Sequence, residues 1–397
     1  MSFQGLARKY RSLTFSDLIG QDLLVKTLQS ALKTKRLSQA YLFTGVHGTG
    51  KTSVARILSK AFNCKGTTED LKSSPSEPCM VCSNCKSITK GSNIDVIEID
   101  AASHTGVDMI RDIIQSTQYK PIYSRNKIYI IDEVHMLSKG AFNALLKTIE
   151  EPPPNLVFMF ATTEVKSIPT TILSRCQRYD LSMVSVEDLK NHLIDISNRE
   201  GVKLGEEESL FIAKSSGGSV RDSISLLDQS IVQMEGEITI DGLRRLFKVV
   251  ESGVVFNLLS NILDQDITSM MTMTEELYKK GVNFRKLMFD ILEGLYWLSR
   301  SKLTNSDLSG SQYSESETKK IILLSKNLTL LDLTRMWQFG VSGLEDFKSG
   351  LNSKLIFDML SIRMSYGSGK SKKQSVGVEK DDIKEYIKSK IPNVKFN

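Results

Sequence analysis

Short apolar runs alternate with amphipathic stretches through the first 180 residues. Four runs are rich in β-branched and aromatic residues, as strands are, and lie at about 41–44, 94–99, 127–131 and 156–161. Apolar residues recur at helical spacing in four other stretches, at about 21–34, 51–62, 106–118 and 138–150. Because alternating strands and helices usually form a parallel sheet covered on both faces, this region is predicted to be an α/β domain.

The pattern becomes wholly helical after residue 180. Helices are predicted at about 185–200, 206–215 and 220–234, and helical spacing continues over 243–364 with breaks near Gly281, at 304–316 and near Gly350. From residue 367 the composition turns to Gly, Ser and Lys, which is typical of a linker or tail, with one short helical stretch at about 381–390. The sequence therefore predicts four regions: 1–180, 181–242, 243–366 and 367–397.

Composition and charge narrow the class of protein. The chain has 397 residues, of which 40% are hydrophobic and 25% charged, as in ordinary globular proteins. No stretch approaches the ~18 to 20 apolar residues of a membrane span, and no apolar run follows the charged N-terminus, so neither a membrane protein nor a signal peptide is expected. The net charge is +6, but the tail at 367–397 holds eight lysines against four acids and supplies most of it. The near-neutral body argues against a protein that coats DNA.

A glycine-rich motif follows the first predicted strand and fits G-x-x-x-x-G-K-[ST] without deviation. Its glycines turn backbone N–H groups towards phosphates, its lysine reaches the β- and γ-phosphates, and its last hydroxyl binds Mg²⁺. The helix that follows adds the field of its N-terminus. A site for a nucleoside triphosphate is predicted at Gly45, Val46, His47, Gly48, Thr49, Gly50, Lys51 and Thr52.

Two carboxylates follow the third predicted strand. Asp132 is expected to help hold Mg²⁺, through water and together with Thr52, and Glu133 is expected to orient the attacking water. Taken alone, the pair could also be a solvated acidic turn. The sequence contains no N-K-x-D guanine motif, so adenine is predicted as the base.

Four of the five cysteines cluster in a polar stretch at about 64–92. Four thiolates suffice for tetrahedral zinc, and such a closed shell leaves no position for water, so a structural Zn²⁺ is predicted. An iron–sulfur cluster and four free cysteines are the alternatives. Cys176 is expected to be a small buried side chain and not a ligand. The predicted ligands are Cys64, Cys79, Cys82 and Cys85.

Three further polar residues follow the P-loop and the acidic pair along the chain, and this order makes them candidate site residues. Thr163 comes just after the fourth predicted strand, where a hydroxyl can bond the attacking water or the γ-phosphate, although a capping role is equally open. Arg175 comes about ten residues later, and Arg221 opens a helix after Gly217 and Gly218. Local sequence alone leaves each arginine as readily structural as functional.

This order of motifs resembles that of the AAA+ ATPases. Several segments further resemble the gamma/tau subunits of the bacterial DNA polymerase III clamp loader, and the cysteine insertion is similar to that family's zinc module. The resemblance is dense over about 4–245 and looser to about 365. The segments are DAAS at 100–103, IDEVHML at 131–137, FNALLKT at 142–148, EEPP at 150–153 and SRC at 174–176.

The resemblance implies an architecture and a function. It implies an α/β AAA+ P-loop core at 1–180 with a zinc-binding insertion at about 64–92. A helical lid at 181–242 follows, then an all-α collar at 243–366 that joins subunits into a hetero-pentamer. It further implies an ATP-driven subunit that helps place the sliding clamp on primer–template DNA during chromosomal replication, in the cytoplasm at the nucleoid.

The resemblance also implies roles for single residues. Lys51, Thr52, Asp132 and Glu133 would serve ATP and magnesium. Thr163 would be the first sensor and Arg221 the second, while Arg175 would reach into the site of a neighbouring subunit. DNA would be held by its backbone, because a loader acts at any primer end, and His104, Thr105 and Lys139 are candidate contacts.

Two departures and two other classes qualify this interpretation. Ser12 stands where the family often has proline, which loosens a segment expected to help hold adenine. The end of the chain at 397 is expected of a gamma-type or shortened product, so contacts with polymerase and helicase would belong to a longer form.

The D-E-x-H sequence at 132–135 also fits a helicase, but the region after 245 lacks the second domain a helicase needs. A non-hydrolysing loader-like subunit is the other class, and the intact P-loop argues against it.

Overall fold

The computed structural model describes residues 5–66, 76–103, 106–234, 237–247, 250–304, 315–326 and 328–367. The chain divides into two compact units between Leu243 and Arg244. The predicted division at about residue 180 stays a prediction. The strands are β1 (Ala40–Thr44), β2 (Val96–Asp100), β3 (Lys127–Asp132), β4 (Leu156–Thr162) and β5 (Gln177–Asp180).

The helices of the first unit match the predicted amphipathic stretches closely. Three of them, α1, α4 and α7, are not among the predicted stretches: α1 and α7 have only four residues each, and α4 is mostly polar and belongs to the cysteine insertion. The helices are α1 (Leu6–Lys9), α2 (Asp22–Thr34), α3 (Lys51–Asn63), α4 (Ser83–Lys90), α5 (Val107–Thr117), α6 (Lys139–Glu150), α7 (Thr170–Leu173), α8 (Val186–Glu200), α9 (Glu206–Ser215) and α10 (Val220–Met234).

The five strands form one parallel sheet in the order β2-β3-β4-β1-β5. The central strands β1 and β4 are buried along their whole length, because helices cover both faces of the sheet. Alternate residues of β1 serve different cores: Tyr41 and Phe43 pack on one face, and Ala40 and Leu42 on the other. Since all strands run the same way, their carboxyl ends share one edge of the sheet.

Strand β5 was missed by the sequence pattern. It pairs with β1 at the edge of the sheet, with Tyr41 opposite Gln177 and Thr44 opposite Asp180. Only Tyr179 of its four residues is buried. An edge strand of this kind has no alternation long enough to be recognised.

An amino-terminal segment (residues 5–21) joins the α/β sheet region to the helices after it. The backbone N–H of Leu6 donates to the Asp228 carboxylate at 3.0 Å. Lys9 forms an ion pair with Glu200 at 2.7 Å, and the Tyr10 hydroxyl donates to the same carboxylate. The segment is therefore fixed to helices α10 and α8.

The second unit is built of helices around one hydrophobic core. The twenty-residue helix α14 buries half of its side chains, and Phe284 at its start packs against Phe357 with ring centroids 5.3 Å apart. No described helix is by itself long and apolar enough to cross a membrane, although α11 and α12 reach that length and composition as a bent pair. The helices are α11 (Ile240–Phe247), which lies across the division, α12 (Ser252–Leu263), α13 (Ile267–Lys279), α14 (Phe284–Leu303), α15 (Glu315–Lys326), α16 (Leu330–Gly343) and α17 (Ser353–Gly367).

Candidate functional site

The glycine-rich motif forms the turn between β1 and α3, at the carboxyl edge of the sheet. Gly45, Gly48 and Gly50 all have positive φ (148°, 77° and 101°), which side chains disfavour and glycine permits. The turn leads directly into the N-terminus of α3, where free backbone N–H groups and the helix dipole favour an anion. This geometry suits the phosphates of a nucleotide.

Lys51 is buried at the first position of α3. Its Nζ donates to the carbonyl oxygens of Gly45 and Val46, at 2.9 and 3.0 Å. Burial lowers the pKa of Lys51, against the opposing effect of the nearby Glu133 and Asp132 carboxylates. The ammonium thus lies within the turn that would receive the phosphates.

Two of the predicted magnesium ligands lie in contact. The Thr52 hydroxyl donates to Asp132 Oδ2 at 2.5 Å, joining α3 to the end of β3 across 80 residues of sequence. Hydroxyl and carboxylate oxygens are the ligands that Mg²⁺ takes beside nucleotide phosphates. The donor set therefore fits a magnesium ion at this point.

Glu133 is held by several donors. Its Oε2 accepts from both the backbone N–H and the hydroxyl of Thr163, each at 3.3 Å, and lies 3.3 Å from His135 Nδ1. His135 Nδ1 also lies 3.0 Å from the Thr162 hydroxyl. On the other side, Glu133 Oε1 is 3.9 Å from His47 Nδ1. The carboxylate is fixed between β3 and β4.

These side chains border a cavity of about 630 Å³ beside the glycine-rich turn. A cavity of this volume is in the range that holds small molecules and cofactors. Its lining residues are Val46, His47, Ala102, Glu133, His135, Met136, Thr163 and Glu164.

The first turn of α10 closes directly on the glycine-rich turn. The backbone N–H of Arg221 approaches the carbonyl of Gly48 at 3.4 Å. A Cβ on Gly48 would meet the Ser219 hydroxyl oxygen at 1.9 Å, so only glycine fits there. The exposed Arg221 side chain therefore starts beside the predicted phosphate site, and its role there stays a prediction.

Arg11 is a site residue that the motifs did not reveal. Its Nε donates to Ser53 Oγ on α3 at 3.2 Å. Burial lowers the pKa of Arg11, and the neighbouring Arg56 and Arg221 lower it further, while Glu98 and Asp132 oppose them. A half-buried guanidinium among other cations suits an anionic ligand. Only the position of Arg11 near the N-terminus signalled it in the sequence, through the expected role of that segment in holding adenine.

Arg175 lies away from these residues. Its side chain forms an ion pair with Glu150 at 2.5 Å and donates to the carbonyl oxygen of Thr171 and the hydroxyl of Ser174. These partners lie on and beside α6 and α7, and none belongs to the glycine-rich turn. The arginine is exposed at the surface of its own subunit.

The four clustered cysteines converge. Their sulfur atoms all lie within 4.8 Å of one another, and the Cys79 and Cys85 sulfurs are 4.0 Å apart. Zn–S bonds of about 2.3 Å place tetrahedral sulfurs roughly 3.8 Å apart, so the cluster is compatible with zinc. Burial works against ionisation of Cys82, but N–H donors, including that of Cys85, prevail and lower its pKa to about 7. Cys176 is separate, and burial raises its pKa to about 12.

The amino-terminal segment also connects the cysteine cluster to the nucleotide side. Glu77, just before the cluster, accepts from the backbone N–H of Ser16 at 3.1 Å and from Gln29 on α2 at 2.9 Å. The buried Lys60 ammonium donates to the carbonyl oxygen of Leu13. The cluster is thereby tied to α2, α3 and the amino-terminal segment.

Of the candidate DNA contacts, one lies among the described residues. Lys139 is the first residue of α6 and is exposed. His104 and Thr105 lie outside the described residues, as does the tail with its predicted helix at 381–390.

The strand order, the P-loop after β1, the acidic pair after β3 and the helices after β5 define a P-loop protein of the AAA+ class. Three family models match the chain: "DNA polymerase III, delta subunit" over 20–185, "DNA polymerase III clamp loader subunit, ATPase lid domain" over 188–236, and "DNA polymerase III subunits gamma and tau domain III" over 238–377.

Individual relatives and one solved structure resemble the chain to different extents. A DNA polymerase III subunit gamma of Buchnera aphidicola is 34% identical over 365 residues, covering 92% of this chain and 97% of that protein. The tau subunit of Bacillus subtilis is 43% identical over 292 residues, covering 74% of this chain and 51% of that protein. A solved structure of Thermotoga maritima RuvB aligns with a TM-score of 0.47 at 18% identity, over 69% of this chain and 86% of that one.

The chain belongs to the gamma/tau subunit family of DNA polymerase III. It spans about half the length of the tau and tau/gamma relatives of Haemophilus influenzae, Salmonella typhimurium, Bacillus subtilis and Escherichia coli. Family membership favours the clamp-loader interpretation over the helicase.

Proposed function

We propose that the chain is an ATP-hydrolysing clamp-loader subunit that helps place the sliding clamp on primer–template DNA. The observation that carries the proposal is the convergence of Lys51, Thr52, Asp132, Glu133 and Thr163 on one edge of the sheet. The names of the family models and relatives supply the context of clamp loading. ATP is proposed over GTP because the guanine motif does not occur in the sequence.

ATP binding begins with the backbone of the glycine-rich turn. Its N–H groups and the N-terminus of α3 hold the phosphates, and Lys51 exchanges its contacts with Gly45 and Val46 for phosphate oxygens. Thr52 and Asp132 would help to hold Mg²⁺. When bound, that ion neutralises charge on the β- and γ-phosphate oxygens.

Hydrolysis depends on Glu133 and the groups around it. Glu133 orients the attacking water beside the γ-phosphate, and Thr163 contacts the same water or phosphate. Arg221 senses the nucleotide from the lid, because its backbone already abuts Gly48. Arg175 acts in the site of a neighbouring subunit, which its surface position supports.

A structural zinc ion is proposed at Cys64, Cys79, Cys82 and Cys85. Its place is to order the cysteine insertion and not to take part in hydrolysis, since four thiolates leave no open position. Wild-type protein is expected to contain one zinc per chain, and Cys82→Ser to lose it and unfold at a lower temperature. Cys176→Ser is the matched control and should keep the metal. Iron with visible absorption, or no metal at all, would refute the zinc site.

The partners follow from the same proposal. They are other clamp-loader subunits in a hetero-pentamer, the sliding clamp, and primer–template DNA held through its phosphates. Such backbone contacts predict binding that weakens with salt and shows little sequence preference.

The deciding experiment measures ATP hydrolysis by the assembled complex with and without primed DNA and clamp. Hydrolysis should rise when both are present. Lys51→Ala should weaken ATP binding roughly 10- to 100-fold, as expected for loss of a hydrogen bond to a charged group. Unchanged ATP affinity in that variant would refute the site. ATP binding without hydrolysis in any assembly would instead favour the non-hydrolysing loader-like subunit.

A further inference from the structure

His135 has a place in the site that the proposed roles do not use. It lies on the short 3₁₀ turn Val134–Met136 that follows Glu133, and it borders the same cavity. Its side chain is only 13% exposed, against 62% for His47 on the opposite side of Glu133. A histidine this enclosed needs polar partners. Among the described residues, Nδ1 of His135 bonds the Thr162 hydroxyl and lies close to Glu133.

The hydrogen on Nδ1 of His135 is assigned from its two polar contacts. Nδ1 is 3.3 Å from Glu133 Oε2 and 3.0 Å from Thr162 Oγ1. An ionised carboxylate oxygen can only accept, so Nδ1 must carry a hydrogen to face it without repulsion. Thr162 accepts from the backbone N–H of Glu164 at 2.9 Å and retains a second lone pair for the imidazole. The ring therefore presents an N–H between Glu133 and Thr162.

Thr163 competes for the same carboxylate oxygen. Its hydroxyl donates to Glu133 Oε2, and a hydroxyl has only one hydrogen to donate. If that hydrogen turns to the nucleotide or the attacking water, as the proposed function requires, Glu133 loses one donor. The backbone N–H of Thr163 stays on Oε2, and among the side chains described around that oxygen the His135 imidazole, at 3.3 Å, then remains.

We infer that His135 is a positioning residue that keeps the Glu133 carboxylate aimed at the attacking water once Thr163 has turned to the nucleotide. This inference rests on the proposed function. Thr162 takes part by holding the imidazole plane, which joins β4 to the turn after β3. His135 acts through Glu133 and has no role in binding phosphates, which engage the glycine-rich turn.

The arrangement predicts that replacing His135 changes the catalytic rate much more than the affinity for ATP. Loss of the Nδ1 donor should lower kcat, by up to about 100-fold for a carboxylate displaced by roughly 1 Å. The Kd for ATP should stay within a few-fold, because the polar contacts of His135 are with Glu133 and Thr162. A residue that only supported the fold would alter both quantities together with the melting temperature.

Two near-isosteric variants separate the donor from the shape of the ring. The amide nitrogen of asparagine takes the position of Nδ1, whereas that of glutamine reaches the position of Nε2. His135→Asn should therefore keep kcat within a few-fold of wild type. His135→Gln and His135→Ala should both lose most of it, and thermal unfolding of all three variants checks that the fold is retained.

The experiment measures kcat and ATP Kd for the full chain in its assembled complex, with the three His135 variants on wild-type and Glu133→Gln backgrounds. Single-turnover rates should show that His135→Ala has little further effect once Glu133 is replaced. An equal loss of kcat in the Asn and Gln variants, or a full additional loss on the Glu133→Gln background, would overturn the inference about His135. Either result would leave the proposed function standing. If wild type fails to hydrolyse ATP, or Glu133→Gln matches it, the proposed function fails and the inference falls with it.

Discussion

Glu133 has backbone angles, φ 45° and ψ 46°, that L-residues seldom adopt. Such a conformation costs on the order of 1–3 kcal/mol and persists where surrounding structure enforces it. Here it follows the end of β3 and places Glu133 and His135 on one cavity. The strained backbone is consistent with a Glu133 side chain that is held in one direction. No property of the sequence D-E-V-H indicates this conformation.

Some site residues were accessible from sequence because one motif carries them. Lys51 and Thr52 belong to a single turn whose spacing follows from the chemistry of phosphate binding. The contact between Thr52 and Asp132 could be inferred, since Asp132 ends β3 and Thr52 begins the helix that follows β1 at the same edge of the sheet. Arg11 and the role of His135 could not, because their partners, 42 and 27 residues away, are decided by strand order and the path of the amino-terminal segment.

Asp290 on α14 offers a test of stability against pH. Burial raises the pKa of Asp290 from 3.8 to about 6, with Lys286 opposing the shift and Glu293 adding to it. The folded state therefore binds a proton between about pH 4 and 6 that the unfolded chain has released. This contribution to stability is full below pH 4 and is lost as pH rises through 6.

Asp290→Asn should consequently stabilise the second unit at pH 7. The gain is expected to be up to about 3 kcal/mol in the free energy of unfolding, and to vanish near pH 4. Both tryptophans, Trp297 and Trp337, lie in this unit, so urea unfolding followed by their fluorescence measures it. Glu276→Gln, an exposed carboxyl on α13, is the control and should change little. An equal gain at pH 4 and 7 would contradict the argument.

At the scale of elements, strands could be predicted where their burial requires a continuous run of apolar residues. β1 and β4 are buried on both faces and read as continuous apolar runs. β5 needs only Tyr179 inside, and α4 begins at a cap formed by the Cys82 sulfur. β5 depends on β1, which lies far away in sequence, and α4 depends on the cysteine cluster, so apolar periodicity could not reveal either element.

The closeness of α10 to the glycine-rich turn gives a second prediction. Gly48→Ala places a Cβ within 1.9 Å of the Ser219 hydroxyl oxygen, at φ +77°. Gly201→Ala is a matched control, with φ +72° and nothing within 4 Å of its Cβ. Each should lose about 1–2 kcal/mol of stability from backbone strain.

Only Gly48→Ala should weaken ATP binding, by at least about tenfold, because α10 must move off the turn. Isothermal titration with ATP compares the two variants directly. Adding Ser219→Ala to Gly48→Ala removes the colliding oxygen and should recover part of the affinity. Equal ATP affinity in the Gly48→Ala and Gly201→Ala proteins would show that this contact does not govern the site.

At the scale of the molecule, sequence patterns separated the α/β region from the helices after it. The chain divides between Leu243 and Arg244, and the predicted regions 181–242 and 243–366 stay predictions. What sequence could not supply is any contact between subunits, because such surfaces need not carry a periodic pattern. The placement of Arg175 is the structural feature that bears on assembly.

Arg175 is expected to act in trans. An arginine supplied by a neighbour is worth about 10³–10⁵ in rate in GTPase systems. In its own chain Arg175 pairs with Glu150, an exposed contact worth at most about 1 kcal/mol that a neighbour's phosphates can displace. Arg175→Ala should leave ATP binding intact and reduce turnover in the complex.

Mixing Arg175→Ala chains with Lys51→Ala chains decides the matter. If the arginine acts in trans, some interfaces pair an intact Lys51 site with an intact Arg175, and hydrolysis returns. Co-assembly is verified by differential tagging of the two chains. Mixtures that assemble yet stay inactive would mark Arg175 as a structural residue of its own subunit.

The contacts of the amino-terminal segment have a consequence for synthesis. Leu6 and its partner Asp228 are 222 residues apart, and Tyr10 and Glu200 are 190 apart. At about 5–20 residues per second, a ribosome makes Asp228 roughly 10–45 s after Leu6. The amino-terminal segment is thus held to the helices α8 and α10 only after both have been translated. The sheet can therefore form before these contacts exist.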